Sequence, residues 1–235
     1  MQLSVLGLDY VGSVAAGCLA GQGHHVVAVD PDADKVATIR RAVAPVNEPG
    51  VSRLIKEAVA AGRLRATTDL AEAIAASALT SICAGTTDSH GRADLSLTLT
   101  LCEAIGNALR DKPKFHAVVL RSPVRPGTVR DFILPALERA SGKRAGQDFG
   151  LAIYPQFLRC GSALEDYLNP PAMILGVTDD ETLARLREMD IALEAPEIVV
   201  ELDEAEAMLN ANLRSSAPVR SAPAEVGWSA AAAMA

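Results

Sequence analysis

The chain has 235 residues, 49% hydrophobic and 22% charged, enough to bury a substantial core as one large domain or one and a half. Its formal net charge of −7 argues against a nucleic-acid or anionic-membrane partner, which would need a basic face. No basic segment precedes an apolar signal core and no apolar run is long enough to span a bilayer, so the expectation is a soluble, cytoplasmic protein.

Short apolar runs alternate with helical patterns along most of the chain. "LSVLG" and "HVVAVD" read as the first two strands, with a helix from about Val11 to Gln22 between them and Gly23 as its stop. "DADKVATIRRA" and "VSRLIKEAVAAG" follow as helices, then "LTSICAG" as a buried strand. "DLSLTLTLCEAIGNALRD" reads as helix, "AVVLRS" as strand, "TVRDFILPALERASG" as helix and "FGLAIYP" as strand. "AMILGV", the helix "DDETLARLREMDIAL" and the strand "EIVVEL" complete the pattern. Val/Ile/Leu runs separated by helices predict an α/β fold, a Rossmann-like doubly wound, mainly parallel sheet covered on both faces. The expected organisation is a dinucleotide-binding domain over 1–200, the start of a central helix over 201–217, and an Ala/Pro/Ser-rich tail over 218–235. Pro218 and Pro223 forbid a continuous helix there, so the tail is expected to be frayed or disordered, a short final helix over its alanines being the alternative. Cys18, Cys83, Cys102 and Cys160 are scattered, with no C-x-x-C and no paired histidine, which argues against a metal site or a disulfide framework. Cys18 and Cys83 fall in apolar stretches and read as small core residues.

The first strand and helix are joined by "GLDYVG", residues 7 to 12. That is the setting of the dinucleotide fingerprint G-x-G-x-x-G, whose second glycine lets backbone approach a pyrophosphate. Asp9 occupies that second position. One alternative is a tight turn without a ligand, in which Asp9 tolerates an unusual backbone. "VVAVD" ends in Asp30, about 20 residues on, where an acid would take ribose hydroxyls. The alternative reading of Asp30 is a cap on the helix that begins beside it.

"GLDYVG", "VVAVD", "APVNEPG", "SICAGTT", "VLRSPVRPGTV" and "YPQFLRCGSALEDY" occur in this order. Over roughly residues 1 to 210 the chain thereby resembles the UDP-glucose/GDP-mannose dehydrogenase family, whose patterns run GxGYVG, a strand ending in D, P-x-x-EPG, CVGTP, RSTVxPGT and NPEFLREG. "GCLAGQGHHVVAVD" and "SGKRAGQDFG" look most like the GDP-mannose 6-dehydrogenase branch. The resemblance implies an N-terminal NAD domain leading into a long central helix. It also implies a reaction that oxidises a sugar's C6 alcohol to a carboxylate in two hydride transfers, through a thioester on a cysteine. The matching positions for NAD are Gly7, Tyr10, Val11, Gly12, Asp30, Lys35 and Thr86, with Lys35 near the adenosine ribose; without the family, Lys35 reads as a solvated helix charge.

Several positions depart from the family pattern. Asp9 replaces the central glycine, Thr87 the proline of GTP, and Pro123 a threonine that in the family faces the cofactor. Gln156 and Cys160 stand where NPEFLRE has its two glutamates, and Tyr154 replaces the leading asparagine. A neutral amide cannot accept a proton, so Gln156 cannot serve as general base. Aligning "DEAEAMLNANL" with E-x-AEMIKYxxN puts Leu209 at the family's catalytic lysine, with Asn212 and Leu213 beside the asparagine. The sequence reaches Ala235 without a match to the GGSCxPKD-like segment that carries the nucleophilic cysteine, or to the sugar-nucleotide domain. Cys160 has no histidine partner in sequence and reads as a structural or surface thiol. Asp9 beside two pyrophosphate charges, each at roughly 4 Å, would cost about 1 kcal/mol per charge in water and about 4 at an effective dielectric of 20. A carboxylate bridged by a cation would escape part of that.

The expectation is a degenerate NAD-binding domain without metal and without catalytic residues of its own. NAD is held weakly or lost. Such a domain acts by association or regulation, as a homo-oligomer or with a polysaccharide-pathway enzyme. The alternatives are a nucleotide-sugar 6-dehydrogenase completed by another chain, and an NAD-sensing module.

Overall fold

A computed structural model describes residues 1–85 and 94–215, with side chains to residue 208. Eight strands form one sheet: β1 (Gln2–Leu6), β2 (His25–Val29), β3 (Leu64–Thr67), β4 (Leu79–Ile82), β5 (Ala117–Leu120), β6 (Gly150–Ile153), β7 (Met173–Val177) and β8 (Glu197–Val200). Their order is β3-β2-β1-β4-β5-β6-β7-β8. All neighbours run parallel except β6 and β7, which pair antiparallel through Ala152↔Val177 and Ile153↔Gly176. The sheet is therefore the doubly wound, mainly parallel one that the alternating pattern predicts. Its direction of winding reverses between β1 and β4, where such sheets hold their ligands.

Nine α-helices cover it among the described residues: α1 (Tyr10–Gly21), α2 (Ala33–Arg40), α3 (Val51–Ala60), α4 (Leu70–Ala76), α5 (Ser96–Arg110), α6 (Leu134–Ser141), α7 (Ala163–Leu168), α8 (Asp180–Met189) and α9 (Leu202–Ser215). Alternate strand residues feed two cores, as the period of a strand requires. Leu3 and Val5 of β1 pack with Ala15, Ala16 and Leu19 of α1 and with Ile55 of α3. Leu6 points to the other face, with Ile74, Leu101, Ile105 and Leu137. No helix among the described residues is long and apolar enough to cross a membrane.

Three elements were not legible in the apolar runs. β3 is an edge strand whose "LRAT" carries exposed Arg65, so it lacks a continuous hydrophobic signature. α4 and α7 have only seven and six residues, too short for a clear helical period. The helix expected over "TVRDFILPALERASG" begins with a π-helical turn, Val129–Ile133, before α6. Pro135 has no N–H to return to Asp131, and the Leu134 N–H bonds Val129 O instead. Thr86, Thr87 and the tail 218–235 lie outside the described residues.

Candidate functional site

β1 ends at the switch point, and the chain turns at Gly7 with φ +92°, a conformation that glycine adopts without steric cost. The Gly7 N–H donates to Val29 O at 2.8 Å, tying the turn to β2. A Cβ on Gly7 would lie 3.2 Å from Cys83 O, at the end of β4. One on Gly12 would lie 1.7 Å from Gly7 O, so the last glycine of the fingerprint is what lets α1 start against the turn. Asp9 is the N-cap of α1, with φ −71° and ψ −166°. This extended backbone suits any residue, so the turn does not require glycine at position 9 and Asp9 bears no strain.

The Asp9 side chain caps nothing on α1. Its Oδ1 accepts from the Lys35 Nζ at 2.6 Å, and the same ammonium stands 3.7 Å from Asp30 Oδ2. Lys35 therefore lies between two carboxylates, not as a free solvated charge. Burial works to lower its pKa, but the Asp9 hydrogen bond and the charges of Asp30, Asp9 and Asp32 outweigh that and hold it above the usual lysine value.

Asp30 is 4% exposed. Its Oδ2 accepts from the Leu8 N–H at 2.6 Å and its Oδ1 from the Asp32 N–H at 2.9 Å, which fixes the carboxylate at the mouth of the turn. Burial pushes its pKa up, opposed by those two N–H groups and by Lys35. The N-cap role that the sequence left open for Asp30 belongs to Asp32, which accepts from Asp34 N and Lys35 N.

Tyr10 and Val11 open α1 beside this cluster. Val11 packs against the core. The Tyr10 hydroxyl donates to Glu48 Oε2 at 2.8 Å and lies 3.0 Å from Arg159 O, with Cys160 alongside. Glu48 belongs to the "EPG" motif and was not singled out in the sequence. Its carboxylate also accepts from Gly161 N and Ala163 N, each at 2.9 Å. Burial raises its pKa, but these donors outweigh it and the net shift is downward. Glu48 thus pins the glycine turn to the loop that carries Gln156 and Cys160. In that loop Gln156 Oε1 is buried without a hydrogen-bond partner, and Cys160 is exposed.

Tyr154, Pro123 and Leu209 also depart from the family pattern. Tyr154 is buried, its ring 4.8 Å from the Arg121 guanidinium, so it serves the core beneath the loop. Pro123 is exposed after β5. Leu209 falls on α9, but its side chain, with those of Asn212 and Leu213, lies outside the described ones. Cys18, Cys83 and Cys102 are buried, and burial lifts their thiols to about 12, about 11 and about 12.

The chain is similar in sequence to the GDP-mannose 6-dehydrogenase of Azotobacter vinelandii, 45% identical over 197 residues that make up 83% of this chain and 45% of that protein. It is 38% identical to the UDP-glucose 6-dehydrogenase of Haloferax volcanii, across 90% of this chain and 50% of the relative. The crystal structure of a ternary complex of GDP-mannose dehydrogenase from Pseudomonas aeruginosa superposes with a TM-score of 0.88 at 40% identity, covering 92% of this chain and 50% of that one. The chain spans about half the length of these relatives. The pattern of one protein family extends this kinship over residues 1–191, and the chain belongs to the UDP-glucose/GDP-mannose dehydrogenase family, within its NAD binding domain.

Proposed function

We propose that this chain is a nucleotide-sugar dehydrogenase NAD domain, akin to that of the GDP-mannose enzymes, whose hold on NAD is weakened and whose own residues do not oxidise a sugar nucleotide. It acts by association with another copy or with a polysaccharide-pathway enzyme. The observation that carries the reading is the Asp9–Lys35 pair at 2.6 Å. A carboxylate stands where the pyrophosphate would approach, and the Lys35 ammonium beside the turn is engaged with it. The Asp9 side chain is 38% exposed and paired with Lys35, which holds the repulsion to at most the water limit, about 1 kcal/mol per charge at roughly 4 Å. Gln156 and Leu209 supply neither a general base nor a cation for a developing oxyanion.

Calorimetry with NAD tests the binding half of the proposal. The native chain is expected to bind weaker than micromolar, and Asp9→Gly to gain at least about 1 kcal/mol. Micromolar or tighter binding to the native chain overturns it. Steady NADH production from GDP-mannose or UDP-glucose by the purified chain would overturn the catalytic half. Single restorations, Gln156→Glu or Leu209→Lys, are expected to stay inactive, because groups that act as a unit are not rescued one at a time. Activity that appears only with a second chain bearing the sugar-nucleotide half would replace association by a split enzyme.

A further inference from the structure

The charges around the glycine turn separate the two ends of the ligand it is built to hold. Asp30, fixed by the N–H groups of Leu8 and Asp32, faces the ribose position and retains a second lone pair on each oxygen for hydroxyl donors. Nothing in that arrangement depends on what the 5′ carbon carries. The 5′ end lies toward the N-terminus of α1, where the helix supplies roughly half a positive charge. With glycine at position 9, Lys35 and Asp30 would cancel and the helix would leave the turn at about +0.5. With Asp9 present, Lys35 is drawn to within 2.6 Å of it and the same sum falls to about −0.5. Asp32 and Asp34, at the start of α2, add further negative charge nearby. Summed over these described groups, the charge at the turn changes sign, and the ammonium that glycine at position 9 would leave to Asp30 is taken up by Asp9, while the two N–H groups that hold Asp30 stay in place.

We propose that the Asp9–Lys35 pair inverts the ligand preference of this turn: the site retains a nucleoside and rejects the 5′-diphosphate. This rests on the assignment of the turn as a dinucleotide-type site but not on how weakly NAD binds. The ligand class is a nucleoside with an uncharged or cationic 5′ substituent. Adenosine is the probe, because the chain belongs to an NAD-binding family.

Calorimetry of adenosine, ADP and NAD on the native chain, Asp9→Gly and the near-isosteric Asp9→Asn decides it. Asp9 makes no capping bond, so both variants are expected to keep the native circular dichroism. The native chain binds adenosine at least as tightly as ADP or NAD. Both variants tighten ADP and NAD about tenfold and leave adenosine within about twofold. On the native chain, ADP binding strengthens as salt rises from about 0.05 to about 0.5 M, the reverse of ordinary anion binding, because screening relieves repulsion. ADP or NAD binding the native chain about tenfold tighter than adenosine overturns the inference, as does an equal gain for adenosine and ADP in the variants. Weak NAD with ADP well ahead of adenosine sinks the inference and spares the weak-cofactor reading. Micromolar NAD with adenosine still tighter does the opposite.

Discussion

At the scale of single residues, the three fingerprint positions turn out to have different jobs. Gly7 supplies a positive φ and Gly12 supplies space, so both are demanded by the backbone whether or not a ligand is present. Position 9 is demanded only by the ligand, which is why Asp9 sits there without strain. Stability separates these roles. Gly12→Ala places a Cβ within 1.7 Å of a carbonyl oxygen of the turn and is expected to cost more than about 3 kcal/mol in urea denaturation. Asp9→Gly loses no cap and is expected to stay within about 1 kcal/mol of native. Similar costs for the two would refute this division.

At the scale of elements, buried polar groups decide how neighbouring segments lock. Glu206 of α9 accepts from Gly127 N and Val129 N, both at 2.8 Å, and so caps the π-helical turn from a different element. At the opposite end of the sheet from the glycine turn, Ser4 of β1, Thr80 of β4 and His116 before β5 form a buried chain. Ser4 and Thr80 hydroxyls lie 2.6 Å apart, and Thr80 Oγ1 is 2.7 Å from His116 Nε2. His116 Nδ1 faces Ser77 O at 3.1 Å, and since a carbonyl only accepts, the ring carries its proton on Nδ1 and accepts from Thr80. Burial, with Lys112 nearby, lowers the His116 pKa to about 3 from an ordinary 6.5. The unfolded chain thus takes up a proton near pH 6.5 that the folded chain refuses until about 3. Stability from this group is complete above pH 6.5 and falls as pH drops through that window, by roughly 2 kcal/mol between pH 7 and 5. Denaturation of native protein and His116→Asn at both pH values checks it: the variant should lose that part of the slope, and parallel curves would count against it.

At the scale of the whole molecule, a buried cation ties distant parts of the chain together. Arg121, 1% exposed after β5, lies between the rings of Tyr154 and Tyr167 and 3.9 Å from Asp190 at the end of α8. The Arg121 pKa stays above its ordinary value: burial lowers it, but Tyr167, Asp190 and Tyr154 outweigh that. Removing one partner of such a pair strands the other in the core. Arg121→Met is expected to cost about 3–5 kcal/mol, and adding Asp190→Leu to recover a large part of it. A double variant no more stable than Arg121→Met would show that the aromatic contacts, not the ion pair, account for the loss.

The sequence by itself determined the doubly wound sheet, because apolar runs and helical periods are local patterns that survive without knowledge of partners. It also located the glycine turn and Asp30, since their spacing is set by one strand–helix–strand unit, whereas Lys35 was singled out only through the family resemblance and otherwise reads as a solvated helix charge. It could not show that Lys35 bridges Asp9 and Asp30, because an ion pair 26 residues apart depends on where α2 docks against the turn. Glu48 was overlooked for the same reason: its donors lie 38, 113 and 115 residues away, and no local pattern records them. Tyr154 was read as a change at a catalytic loop, yet tertiary packing places it against Arg121, in the core. The antiparallel β7 and the edge strand β3 were likewise decided by the assembled sheet, where pairing direction follows from the connections and from which strand is left at the rim.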